Sequence, residues 1–178
     1  RLHFTVIPQL RGIGVNTVCA GDNVCYVVTE QHDVYVWGGG GAVKTFNASK
    51  DNERKSKDIR IQKAKTLNWL EPDICMELGG EEIVGVAAGS SHYVAASRGG
   101  DCLVWGDNDS GQLGLGNFDT QKSVVINSSF PSAIQQVTCG SNHVLVLTAD
   151  GDIYTWGHSR NGRLGIGIAE RAGVPESE

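Results

Sequence analysis

Apolar residues along this chain gather in short runs rather than at helical spacing. "DVYVW" (Asp33 to Trp37) and "VLVL" (Val144 to Leu147) are examples, and the second predicts a strand covered on both faces. Between the runs lie Gly, Asp, Asn and Ser, the residues of tight turns. Around Val144 the pattern resolves into a unit. Ile134 to Cys139 ("IQQVTC") reads as a strand entering at a glycine, Val144 to Leu147 as a second, and Ile153 to Trp156 as a third. Asp150-Gly151 predicts a two-residue hairpin turn between the last two. Val124 to Ile126 offers a fourth strand to the unit before, and no stretch carries a convincing helical period.

The unit recurs. "AGDNVCYVVTEQHDVYVWG" from Ala20, "AGSSHYVAASRGGDCLVWG" from Ala88 and "CGSNHVLVLTADGDIYTWG" from Cys139 align without gaps. Gly21, Gly89 and Gly140 fall in register, as do Asp33, Asp101 and Asp152, and the pairs Trp37-Gly38, Trp105-Gly106 and Trp156-Gly157. The second and third copies share a downstream element, "GQLGLG" and "GRLGIG", and are offset by 51 residues; the first and second are offset by 68. The chain divides accordingly into 1–14, the end of a preceding repeat; 15–82, a repeat with a long basic loop at 47–66; 83–133, a repeat; and 134–178, a truncated repeat. In the first copy Gln31-His32 replaces the turn glycine, a poorer choice, although His tolerates positive φ better than most residues.

The register decides a question of chemistry. "WGGGGAVKT" matches a phosphate-binding loop at Gly38, Lys44 and Thr45 and fails at Val43. Gly38 is, however, the glycine of a Trp-Gly pair that recurs twice where no Lys-Thr follows. The stretch behind Thr45 also makes a poor first turn for the helix such a loop needs. No nucleotide, metal or other cofactor is expected.

With 178 residues the chain is long enough to bury a core, and its formal net charge of −5 offers nothing overall to nucleic acid or an anionic membrane. No apolar run reaches bilayer length. Five cysteines (Cys19, Cys25, Cys75, Cys102 and Cys139) fit no zinc spacing, and four of them lie inside apolar runs, as buried free thiols of a reducing compartment would. The expected setting is cytoplasmic or nuclear, with no direct contact to nucleic acid and no membrane span.

His92 and His143 align, each opening a strand behind the repeat glycine; with Val24 in their place in the first copy, they read as structural imidazoles. Trp37, Trp105 and Trp156 read as apolar anchors between units. Asp33, Asp101 and Asp152 occupy hairpin positions and are expected to cap turns. "DNDSG" (Asp107 to Gly111) resembles a calcium loop, but its glycine falls one place early and Phe118 stands where the bidentate Glu belongs. Glycosylation triplets at Asn47, Asn108 and Asn127 read as chance matches. The distinctive non-repeat piece is Lys50 to Lys65, with seven Lys or Arg against three Asp or Glu. A solvated loop is its default reading, and a docking patch for an acidic partner the alternative. Lys55, Lys57, Arg60, Lys63, Asp107, Asp109 and Arg160 are the candidates for partner binding.

Aligned glycines, "CGSNH" before a central strand, "DGDIYTWG" after it and "GRLGIG" next closely resemble the regulator of chromosome condensation family. The resemblance implies an all-β fold, a β-propeller of seven four-stranded antiparallel blades. Radial repetition is also what the periodicity suggests by itself. Three copies amount to about three of those seven blades, and "FTVIPQL" (Phe4 to Leu10) reads as the closing strand of a further copy. The family contains interaction propellers in NIMA-related kinases, HECT-type ubiquitin ligases and alsin-like proteins. The resemblance thus implies a non-catalytic module that presents loops to another protein or to another domain of its own chain, in a regulatory or scaffolding role. The alternative is guanine-nucleotide exchange on a Ran-like small GTPase, the founding member's activity, performed without covalent chemistry. The founding member's β-wing has no counterpart here that can be matched residue by residue.

Overall fold

The computed structural model describes residues 3–39, 70–75 and 78–167. Eleven strands among them form three antiparallel sheets. The first holds β1 (Val15–Ala20), β2 (Val24–Thr29), β3 (Val34–Gly38) and β4 (Asp73–Ile74) in that spatial order. The second holds β5 (Ile83–Ala88), β6 (His92–Ser97), β7 (Cys102–Gly106) and β8 (Gln121–Asn127). The third holds β9 (Ile134–Cys139), β10 (His143–Thr148) and β11 (Ile153–Gly157). Each sheet is a meander, and the three are blades of an unclosed propeller. Their first strands stand side by side, β1 against β5 and β5 against β9.

Every blade breaks register at the start of its first strand. Asn16, Val84 and Gln135 are the extra residues, between Val15 and Thr17, Ile83 and Gly85, and Ile134 and Gln136. Such a bulge adds twist to a strand, and its recurrence at one aligned position marks it as part of the repeat.

The core lies between blades, and strand periodicity apportions it. In β6, Tyr93 and Ala95 face the first blade while Val94 and Ala96 face the third, so all six residues are buried. Trp105 stacks on Tyr93 (5.5 Å between centroids) and Tyr26 meets Tyr93 edge-on (5.8 Å), a favourable pair of geometries. In β10 only alternate residues are buried: Val144 and Val146 pack on the second blade, while Leu145 and Leu147 are half-buried. The expectation of two covered faces therefore holds for β6 and fails for β10, which has a blade on one side only among the described residues.

Two further expectations need correction. Phe4 to Leu10 is not a strand: Pro8–Leu10 is a 3-10 turn and Phe4 is fully exposed. Proline offers the ladder no N–H donor, and its fixed φ suits the turn. The turn at Asp150-Gly151 has three residues rather than two. The Gly151 N–H donates to the Thr148 carbonyl (3.0 Å), the Thr148 N–H donates to the Asp152 carbonyl (3.0 Å), and Gly151 takes φ 89°. This is a type I turn closed by a left-handed residue. Ser97, Gly100 and Asp101 make the same bonds, as do Thr29, His32 and Asp33, with His32 at φ 66° in the glycine's place.

Candidate functional site

At the end of the blades opposite those turns, glycine arranges a rim. Gly38, Gly106 and Gly157 have φ of 85°, 102° and 97°, and a Cβ on any of them would run into the carbonyl of Asn23, Ser91 or Asn142. The residue after each glycine donates its N–H to that same carbonyl: Gly39 at 2.5 Å, Asp107 at 2.8 Å and His158 at 2.8 Å. Each third strand is thereby folded back over the first turn of its own blade. Gly39 itself takes φ 74°, whereas Asp107 and His158 do not take positive φ, so side chains tolerated in those copies do not imply tolerance at position 39.

Gly89 and Gly140 are required for another reason. Neither has positive φ; the imidazoles of His92 and His143 occupy the space a Cβ would fill. A Cβ added at Gly21 would instead come within 2.8 Å of Ala88 Cβ and the Gly89 carbonyl, and one added at Gly89 within 2.7 Å of the Gly140 carbonyl. Each blade's turn thus nests against the next. Ser90 adds a bond from its N–H to the Ser141 carbonyl (3.0 Å) and from its hydroxyl to Asn142 Oδ1 (2.8 Å). His92 is completely buried with neither ring nitrogen bonded. Burial lowers its pKa from 6.5 to about 4, so the ring is neutral at physiological pH.

The loops beyond the glycines are also tied down. Asn108, fully buried, donates through Nδ2 to the Asn117 carbonyl (2.9 Å) and accepts from the Leu113 N–H (2.9 Å). Asn127 donates to the Gly114 carbonyl (3.0 Å), and Trp156 Nε1 reaches across from the third blade to the Gln112 carbonyl (2.9 Å). In the third blade a 3-10 turn (Arg160–Gly162) includes Asn161 at φ 60°, and Arg163 Nε donates to the Arg160 carbonyl (2.8 Å). Glycosylation at Asn108 or Asn127 is incompatible with this packing.

Of the partner-binding candidates, Asp107, Asp109 and Arg160 are exposed on this rim. Lys55, Lys57, Arg60 and Lys63, with the phosphate-loop residues Lys44 and Thr45, lie outside the described residues. Asp33, Asp101 and Asp152 sit at the opposite end. There the closing hydroxyl comes from the Ser or Thr four residues earlier: Thr29 Oγ1 accepts from the Asp33 N–H (3.1 Å) and Ser97 Oγ from the Asp101 N–H (3.0 Å). Trp105 is buried, Trp156 half-buried within the second core, and Trp37 half-buried.

Sequence reasoning missed the buried amides of Asn108 and Asn127 and an inter-blade clasp at His32. His32 Nδ1 bonds the Ile83 carbonyl (3.0 Å), Arg98 donates to His32 Nε2 (2.9 Å), and Arg98 pairs with Glu82 (3.2 Å). The left-handed turn position of His32 was its only signal. The strands β1, β5 and β9 also line a groove of about 320 Å³ that includes Cys19 and Cys139. All five cysteines are unbridged. Burial pushes the Cys102 thiol up to about 12 and raises those of Cys139 and Cys19, so these are packing groups and not nucleophiles. Among the described residues no three His, Cys, Asp or Glu side chains gather as a metal ion requires, and no helix is long and apolar enough to cross a membrane.

Blades joined by repeated turns, with differing side chains on one rim, define a repeat propeller. The family described as "Regulator of chromosome condensation (RCC1) repeat" matches residues 83–112 and 134–163, and a second description of that repeat matches 99–147. This chain belongs to the regulator of chromosome condensation repeat family. It is 32% identical over 91% of its length to the ultraviolet-B receptor UVR8 of Arabidopsis thaliana, and 33% identical over 96% to the E3 ubiquitin-protein ligase HERC2 of Homo sapiens. It spans 33% of the first and 3% of the second. Among solved structures, Prp20p of Saccharomyces cerevisiae, characterised with its binding to Gsp1p and histones, matches 96% of the chain and is covered over 36% of its own (TM-score 0.63, 21% identity).

Proposed function

We propose that this chain is a non-catalytic protein-interaction module, serving as the regulatory or scaffolding part of a signalling protein and working through the rim that carries Asp107, Asp109 and Arg160. One observation carries the reading: the same glycine-made turn, closed by the Asp107 N–H on the Ser91 carbonyl and by the His158 N–H on the Asn142 carbonyl, presents different side chains in neighbouring blades. Asp107 and Asp109, exposed in the second copy, correspond to half-buried His158 and exposed Arg160 in the third. Gly106 and Gly157 hold the same turn in both copies, and the residues behind them vary. A rigid scaffold with variable loops is the usual architecture of a recognition surface. Its partner is a protein or another domain of the same chain.

The test compares capture of partners by the full chain and by two charge-reversed variants. Asp107→Lys with Asp109→Lys alters the rim, and Asp152→Lys alters the opposite end. The rim variant is expected to lose at least tenfold in recovered partner while the other retains it. Equal recovery by both, at equal thermal stability, would place the function elsewhere. Faster release of a labelled GDP analogue from a Ran-type GTPase in the presence of the chain would move the reading to nucleotide exchange.

A further inference from the structure

The rim reverses its charge between neighbouring blades, and this deepens the interaction reading, on which it rests. At equivalent places the second blade exposes two carboxylates, Asp107 and Asp109, while the third presents His158, Arg160 and Arg163. Gly157 pairs with His143 across β10 and β11, so His158 leaves the sheet beside the His143 ring. The 3-10 turn then brings the Arg160 N–H to His158 Nδ1 (3.3 Å) and Arg163 Nε to the Arg160 carbonyl (2.8 Å). The side chains of His143, His158 and Arg163 thus share one corner, on the turn that also carries exposed Arg160, in a chain of net charge −5. Their fields overlap. Partial burial and the nearby Arg163 and His158 all lower the pKa of His143, the direction a positive environment gives. Among the described residues, neither Arg163, His158 nor His143 meets a carboxylate.

We propose that this corner docks a short carboxylate-bearing segment of a partner protein. Two guanidiniums supply the charge and match carboxylate geometry in pairs, and the imidazoles add N–H donors. The adjoining Asp107 and Asp109 set the limit on length. They repel a polyanion that runs on past the corner, which argues for a few acidic side chains rather than a nucleic-acid backbone.

The test exploits the repeat itself. His158→Asp, Arg160→Asp and Arg163→Gln together give the third blade the residues that the second carries at the aligned positions, and a thermal melt matching the parent's checks that the fold survives. A fluorescein-labelled hexaglutamate is titrated into the full chain at low salt and read by anisotropy. Binding is expected for the parent, to weaken at least tenfold in the triple variant, and to be unchanged in Arg98→Gln at the far end. Steeper weakening with salt in the parent than in the triple variant is expected as well. Absence of hexaglutamate binding, equal binding by parent and triple variant, or tighter binding of duplex DNA than of hexaglutamate overturns the proposal. If the triple variant still captures the parent's protein partners, the rim reading survives and the acidic-segment docking fails.

Discussion

His92 illustrates how a position can serve packing at an electrostatic cost. Its folded pKa of about 4 lies below the ordinary 6.5, so the unfolded chain binds a proton more readily. The associated stability is fully present above pH 6.5 and is lost as pH falls toward 4. The shift corresponds to on the order of 3 kcal/mol. Val24 fills the aligned place in the first blade, so His92→Val is expected to fold and to flatten that acid limb in urea titrations between pH 7 and 4; an unchanged slope would refute the assignment. Gly140→Val is expected to cost about 2–3 kcal/mol in thermal melts, because the His143 ring already occupies the Cβ space. The aligned glycines were legible, but the occupying ring was not, since aligned histidines three residues on do not reveal which way they fold. His32→Gly sets relief of a left-handed conformation, worth about 1 kcal/mol, against a hydrogen bond of about 1 kcal/mol to the Ile83 carbonyl. The expected change in stability is below about 1 kcal/mol.

At the level of elements, strand positions were readable because apolar runs and glycines recur in register, whereas turn type was not. Asp-Gly favours a two-residue turn locally, yet the bond from the Thr148 N–H to the Asp152 carbonyl commits the hairpin to three. That choice belongs to the pairing of β10 with β11 and is invisible in a dipeptide. The loop after β7 misleads in the opposite way. Its Asp, Asn and Ser content reads as solvated, yet Asn108 is wholly buried and organises it. Asn108→Ala would orphan the Leu113 N–H, a loss of about 1–3 kcal/mol. Faster hydrogen exchange at Leu113 than in β6 is the expected signature, and unchanged protection there would show that the loop is held by other means.

At the level of the whole molecule, radial repetition was legible because aligned positions do the same job three times. The rim's chemistry was legible only in part: Asp107, Asp109 and Arg160 were candidates beforehand, but their opposition across neighbouring blades emerges only when His158 and Arg163 join them. The 178-residue chain leaves Val18 73% and Ile153 68% exposed, and β11 has no partner on its outer side among the described residues. Self-association rising with concentration is therefore expected in light scattering; a monomer at every concentration would count against it. The bond from Trp156 Nε1 to the Gln112 carbonyl carries a consequence for dissection. A loop written in one repeat is fastened by an indole written in the next, so the genetic period and the mechanical period run out of phase. Cutting at the sequence boundary between these two repeats severs that fastening. A cut shifted downstream of Trp156, so that the Gly111 to Gly116 loop keeps its indole, leaves the fastening whole.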